Sequence, residues 1–272
     1  MTPQEWDKRC AQVTIDMQAH VANFVTPLSV SEERGFGEAW GSATYVPGGD
    51  GYTYIMTAGH NITGLSASGK LAHLPVPGDY VAASNMATLS PSEIDAAGIA
   101  IPRVPPLQPP PQRIVPATSI AKAYRAVKGE LLFWMGFPGY KLERDDPVMP
   151  EARRRSVFGH LELPMKPMLS QEIQSPFTHS RFEANLHVAV HYPREGKSAA
   201  DNSNVRLPTP KGMSGSALWD TKYIATLEAG RQWSPAQAEI CGIVWFFIGT
   251  PGPEVVLATK IEHVRASLPD MF

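Results

Sequence analysis

Cysteine is scarce in this chain: 272 residues contain two, Cys10 and Cys241. No disulfide framework beyond a single pair can form, which points to a reducing compartment and a cytoplasmic protein. Long clean apolar runs are missing too. The most apolar stretch, 244–259, is interrupted by Gly249, Pro251, Gly252, Pro253 and Glu254, and a membrane span needs more. The opening Met-Thr-Pro-Gln-Glu-Trp-Asp has neither a basic region nor an apolar core, so it does not read as a signal peptide. Charge of either sign is not in excess. The 24 Lys and Arg against 26 Asp and Glu leave a net charge of −2, with no basic footprint for nucleic acid. Metal-ligand spacing is absent as well. His187 and His191 share one face of an expected strand, and no further ligand stands near them in sequence. Neither a metal nor an organic cofactor is expected.

What is present supports a globular β protein. A 43% hydrophobic content is enough to bury a sizeable core. The 26 prolines and 22 glycines favour short strands with frequent turns over long helices. One helix is expected at the start, over residues 3 to about 24. Thr2 can cap it, and Pro3 suits its first turn. Trp6, Cys10, Val13, Met17, Val21 and Phe24 recur at helical steps. This reads as a helix covering the outside of a β domain, with a helix that docks a partner as the alternative. Strands are expected at 41–46, 52–57, 71–81, 85–89, 130–139 (ending in a turn), 182–191, 239–247 and 256–261, and a closing helix at 261–268. Pro102 to Pro116 is stiff and extended, and serves as a strap between two units. Arg153-Arg154-Arg155 reads as a solvated loop, with an anionic partner as the minor alternative. Asn61-Ile62-Thr63 matches a glycosylation pattern and is taken as coincidence.

The chemistry centres on Lys211-Gly212-Met213-Ser214-Gly215-Ser216-Ala217-Leu218. A serine hydroxyl is a weak nucleophile and needs a base beside it. Glycines around it let the backbone turn sharply and aim N–H groups at a developing oxyanion. Upstream, a β-rich run ends in Thr57-Ala58-Gly59-His60. Between them, Asp95 opens the alternating run Ala96-Ala97-Gly98-Ile99-Ala100-Ile101. Asp79, in the turn-like Gly78-Asp79-Tyr80, is the weaker choice of acid. The order His, Asp, Ser is one of three that converge on a catalytic triad.

These three motifs resemble those of the trypsin-like (chymotrypsin-fold) serine proteases, nearer to disulfide-free intracellular and bacterial-type members than to secreted ones. Thr57-Ala58-Gly59-His60 is similar to the family's Thr-Ala-Ala-His, and Gly212 to Ala217 to its Gly-Asp-Ser-Gly-Gly-Pro. Glu239 to Phe247 is similar to its Gly-Ile-Val-Ser-Trp-Gly strand. The likeness runs from about residue 38 to the C-terminus. It implies an all-β fold of two six-stranded Greek-key barrels with the active site in the cleft between them, plus N- and C-terminal helices. The division expected is a helix over 1–25, a first barrel with His60, Asp95 and the proline strap over 26–117, and a second barrel with Ser214 over 118–272. It implies a serine endopeptidase acting on proteins or peptides, with His60, Asp95 and Ser214 as the triad. Gly212 and Ser214 would form the oxyanion hole, and Pro208, Thr209, Phe246, Phe247 and Val256 would line the substrate pocket.

Three departures qualify the resemblance. Met213 stands where secreted relatives have an aspartate that receives a newly cut N-terminus. The oxyanion loop must therefore be ordered otherwise, by a partner protein or by substrate. Trp245 or Phe246 stands where the family often has a serine beside the acid. Pro208 stands where trypsin has its acidic pocket floor, so a preference for Lys or Arg is not expected and a small or neutral residue is. The alternatives are a catalytically inactive relative acting as a binding module, and an α/β-hydrolase esterase using Ser214, Asp220 and His263. A dedicated processor of one intracellular partner is a further reading of role.

Overall fold

The structure is a computed structural model that describes residues 2–33, 36–65, 70–76, 79–83, 87–102, 108–138, 165–201, 203–207, 209–249 and 254–272. The expectations for Arg153-Arg154-Arg155 and Pro208 lie outside them, as does 103–107 of the proline strap.

The elements in chain order are α1 (Pro3–Val21), β1 (Val25–Glu33), β2 (Phe36–Pro47), β3 (Thr53–Ala58), the single turn α2 (His60–Thr63), β4 (Lys70–Val76), β5 (Asp79–Ala82), β6 (Ala87–Leu89), β7 (Ala96–Ile101), β8 (Leu131–Gly136), β9 (Lys166–Gln171), β10 (His187–His191), β11 (Glu195–Lys197), β12 (Asn204–Arg206), β13 (Ala217–Asp220), α3 (Tyr223–Glu228), β14 (Glu239–Ile248), β15 (Val255–Lys260) and α4 (Ile261–Ser267). Helix α1 starts as its sequence demands. The Thr2 hydroxyl accepts from Glu5 N at 3.2 Å and the Glu5 carboxylate accepts from Thr2 N at 2.6 Å, a capping box with Pro3 in the first turn. Val13, Met17 and Val21 are its buried stripe, while Cys10 is half-buried. Beyond it, His20 and Phe24 meet Trp219 of β13, with Phe24 stacked on the indole. The helix thus packs on the second β unit, as a covering helix would.

Two curled antiparallel sheets make up the rest. The first runs β5-β4-β1-β2-β3-β7-β6, one strand more than the expected six. The second sheet runs β10-β15-β14-β13-β8-β9. A bridge from Glu172 to Val190 and the bond from Ile173 N to Ala189 O join the end of β9 to β10, which closes the second barrel.

Several strand expectations change: β9, β11, β12 and β13 are not among the expected strands, and two further changes have a visible physical reason. Strand β1 lies in the middle of the first sheet, paired to β2 and β4, yet nothing assigned it. Pro27 and the hydroxyls of Thr26 and Ser29 mask its apolar pattern. Both hydroxyl residues are fully buried, and Leu74 N donates to Thr26 Oγ1 at 2.9 Å. Conversely, 182–186 is not strand. Leu186 N and His187 N both donate to Glu183 O, so the alternating Phe182, Ala184 and Leu186 sit on turns and the strand begins at His187. Parallel strands flanked by helices are not what this chain builds, which removes the α/β-hydrolase reading. Asp220 is paired with Lys222, and His263 Nε2 donates to Asn185 O.

A buried histidine gives this fold a pH signature. Tyr45 Oη and His73 Nδ1 are hydrogen-bonded at 2.8 Å inside the first barrel. Burial, with the nearby Arg113 charge, pushes the His73 pKa down to about 4. The folded protein then keeps His73 neutral, while the unfolded chain takes up a proton as pH falls below about 6.5. The stability from neutral His73 is complete above that pH and is lost as pH falls toward about 4, a loss of about 3 kcal/mol. Urea unfolding at a series of pH values should show this loss in the wild type and a flatter slope in His73→Gln. Equal slopes would mean that His73 is not buried as a neutral ring.

Candidate active site

The histidine arm is built by backbone first. Strand β3 carries the chain up to Ala58, and Gly59 N donates to Asp95 O at 2.9 Å as the chain enters α2. His60 then presents two donors to one carboxylate. Its backbone N donates to Asp95 Oδ1 at 2.7 Å, and its ring Nδ1 is bonded to Asp95 Oδ2 at 2.6 Å. A carboxylate only accepts, so the proton sits on Nδ1 and leaves Nε2 with a lone pair. The imidazole is 46% exposed and faces the cleft, whereas the carboxylate is 12% exposed. Asp95 adopts φ +47°, a left-handed conformation that aspartate tolerates at a cost. Asp79, the rival acid, lies in β5.

The serine arm comes from the second barrel and is tied to the first. Ser214 O accepts from Ser42 N at 2.9 Å and from Asn61 Nδ2 at 3.0 Å. Asn61 follows His60 in the chain, so residues 60 and 214 meet on neighbouring backbone. Asn61 is buried, and its amide also donates to Thr57 Oγ1 at 2.9 Å, which occupies the side chain of the glycosylation pattern. The Ser214 hydroxyl donates to Trp245 O at 3.3 Å. Among the described residues no hydrogen bond joins it to His60.

The loop before the serine has the shape that its glycines allow. Met213 N donates to Pro210 O at 2.9 Å, closing a tight turn with Gly212 at φ +90°. Ser42 Oγ donates to Gly212 O at 2.9 Å. With that carbonyl engaged, the N–H groups of Gly212 and Ser214 donate to no protein acceptor among the described residues. Gly215, at φ +92°, packs so close to the Ser42 carbonyl and Thr57 hydroxyl that a Cβ there would overlap both. Met213 is fully buried in the interior of the second barrel, in a cluster with Leu132, Trp134, Val188 and Leu218. Apolar burial worth about 1.5–3 kcal/mol thus anchors the position where an ion pair was missed.

The expected pocket residues separate. Thr209 is exposed, and Phe246 and Phe247 are half-buried on β14. Phe247 rests edge-on against Tyr192, with ring centroids 5.5 Å apart, and pairs in register with Val256. Val256 itself lies inside the barrel, 1% exposed. On Phe246 sit the Arg181 guanidinium, 5.5 Å from the ring centre, and the His179 ring. Arg181 and His179 fall in the segment 172–187, whose residue pattern carried no signal for this placement. Ser42 and Thr57 were missed for a similar reason. They contribute through hydrogen bonds across the chain, and a serine in a strand looks like any other.

No family model and no curated protein sequence matches the chain. Two solved structures are similar to it in fold, both of Rv3671c from M. tuberculosis. One is an inactive form of a serine-to-alanine mutant from strain H37Rv. It is 15% identical, covers 96% of this chain and 92% of its own, and has a TM-score of 0.45. The other, described as the protease in its active form, is 16% identical over 96% and 86%, with a TM-score of 0.44. The two curled antiparallel sheets match a chymotrypsin-like two-barrel fold. Likeness at that level adds nothing to the chemistry, which rests on the distances above.

Gly59 offers a local test of the histidine arm. A Cβ on it would stand 2.9 Å from Asp95 Oδ1 and 3.3 Å from Ala96 backbone atoms. Gly59→Ala should shift the carboxylate and slow Ser214 acylation by a fluorophosphonate on the order of a hundred-fold, while leaving the urea midpoint nearly unchanged. Acylation at the wild-type rate would show that Asp95 need not sit where it does.

Proposed function

We propose that the chain is a serine endopeptidase that cuts peptide bonds through a His60–Asp95–Ser214 triad. The observation that carries this reading is the 2.6 Å bond from His60 Nδ1 to Asp95 Oδ2, with Asn61 beside it holding the Ser214 carbonyl. Rotation of the Ser214 side chain away from Trp245 O turns its hydroxyl toward His60 Nε2. There Oγ attacks the substrate carbonyl as Nε2 takes its proton. The oxyanion falls to the N–H groups of Gly212 and Ser214. His60 gives the proton to the departing amine as the C–N bond breaks, leaving an acyl-enzyme. A water, deprotonated by the same ring, then releases the acid and restores the serine. Asp95 fixes the tautomer and offsets the imidazolium charge.

The substrate is a protein or peptide. None of the expected pocket residues Thr209, Phe246 and Phe247 is a carboxylate, which supports a small or neutral residue before the cut and argues against Lys or Arg. A cytoplasmic setting rests on the two cysteines, both free, with burial pushing the Cys10 thiol up to about 11. Helix α1 is packed on the barrels, so a role in processing one partner protein would fall to the cleft.

One observation favours a second reading, a protease-like binding module: the Ser214 hydroxyl bonds to Trp245 O instead of His60. A peptide library and a fluorophosphonate probe separate the two. The wild type should cleave and label. Ser214→Ala should do neither, and Asp95→Asn should lose about 10⁴-fold in kcat. Cleavage that persists in Ser214→Ala would remove Ser214 from the mechanism. A wild type that binds peptides but neither cleaves nor labels would establish the binding module.

A further inference from the structure

Asp95 is a non-glycine residue at φ +47°, and such conformations cost about 1–3 kcal/mol and persist where surroundings over-determine them. Among the described residues, the Asp95 carboxylate accepts from His60 alone. Its support lies instead in the two peptide units before it. Glu93 O accepts from His187 Nε2 at 3.0 Å, and Ile94 O accepts from Thr259 Oγ1 at 2.6 Å. His187 and Thr259 are directly opposed across β10 and β15, 3% and 0% exposed. One rung of the second barrel therefore grips two consecutive carbonyls of the first.

The rung is itself held. Glu183 N donates to His187 Nδ1 at 3.0 Å, which puts the ring proton on Nε2, facing Glu93 O. Burial keeps this imidazole below its ordinary pKa, in keeping with a neutral ring. The 183–187 turn is braced from the C-terminal elements: Lys260 N donates to Leu186 O, Lys260 Nζ to Ala184 O and His263 Nε2 to Asn185 O. The His187 ring also packs against Trp245, with centroids 5.2 Å apart.

We infer that His187 and Thr259 are positioning residues for the acid, clamping the Glu93 and Ile94 carbonyls so that Asp95 holds its left-handed backbone and keeps its carboxylate on His60. This rests on the reading of residues 60, 95 and 214 as a triad. Without the clamp, the segment is held by the turn in which Ile94 N and Asp95 N donate to Pro91 O and by Gly59 N on Asp95 O, which leaves the Glu93 and Ile94 carbonyls unrestrained, so that Asp95 relaxes toward an ordinary conformation and the imidazole loses its partner.

Thr259→Val keeps the side-chain shape and removes the hydroxyl, while Thr259→Ser keeps the hydroxyl. Thr259→Val should slow fluorophosphonate labelling of Ser214 on the order of ten-fold, with no change in the probe concentration that half-saturates the rate. It should also weaken the far-downfield proton NMR resonance of the hydrogen bond between His60 and Asp95. Thr259→Ser should restore both, and His187→Phe, which keeps the ring packing, should repeat the loss. Far-UV circular dichroism identifies the folded variants. Should Thr259→Val not fold, His187→Phe decides. A folded variant of either kind that labels at the wild-type rate and keeps the resonance overturns the clamp. A wild type that never labels defeats the protease reading instead, and the resonance in wild type and variants then decides the clamp by itself.

Discussion

Ser42 joins the two barrels at the point where the chemistry gathers. Its N–H holds the Ser214 carbonyl, its hydroxyl donates to the Gly212 carbonyl and accepts from Phe137 N, and its own carbonyl accepts from the Thr57 hydroxyl. Thr57 passes the connection to Asn61, which returns it to Ser214. The circuit is buried, with Ser42 and Thr57 fully so, and each bond is stronger for the low dielectric around it. Through this seam a histidine on one barrel and a serine on the other share a frame. Two rigid barrels need few bonds to fix their relation, provided that those bonds lie next to the reacting groups.

Around the seam, order is obtained without charge. Met213 fills the core of the second barrel and draws the turn before Ser214 down with it, while left-handed glycines at 212 and 215 let the backbone bend back toward Ser42. The acid follows the same logic. Asp95 is held through peptide carbonyls gripped by the opposite barrel and through the donors of His60, in a strained conformation that isolated chain would not keep. Among the described residues, the matching of buried polar groups here is incomplete: Ser216 Oγ and Trp245 Nε1 are buried with no hydrogen-bond partner.

Much of this could be read before any fold was known, because the informative residues lie in contiguous motifs. The run ending in His60, the aspartate opening β7 and the glycines around Ser214 each carry local chemistry. Their order along the chain constrains the topology. The capping box at Thr2 and Glu5 announced α1 in the same local way. What escaped was non-local. Strand β1 is hidden by Pro27, Thr26 and Ser29, whose hydroxyls look like loop residues until a neighbouring strand satisfies them. The turn at 182–186 alternates like a strand, and only its hydrogen bonds to Glu183 O distinguish it. Ser42, His187 and Thr259 act on residues 94 to 172 positions away in sequence, so no pattern in their own neighbourhoods points to their partners.

The claim on which the account turns is that the Ser214 hydroxyl, bonded to Trp245 O in this structure, swings to His60 when a substrate carbonyl arrives. A crystal structure of the protein after reaction with a peptidyl phosphonate measures this directly. The account predicts a covalent bond from Ser214 Oγ to phosphorus. It also predicts one phosphonyl oxygen within hydrogen-bond distance of the Gly212 and Ser214 N–H groups, and His60 Nε2 directed at the adduct with its bond to Asp95 kept. An adduct on another residue, or one on Ser214 with His60 turned away from it, would contradict the account.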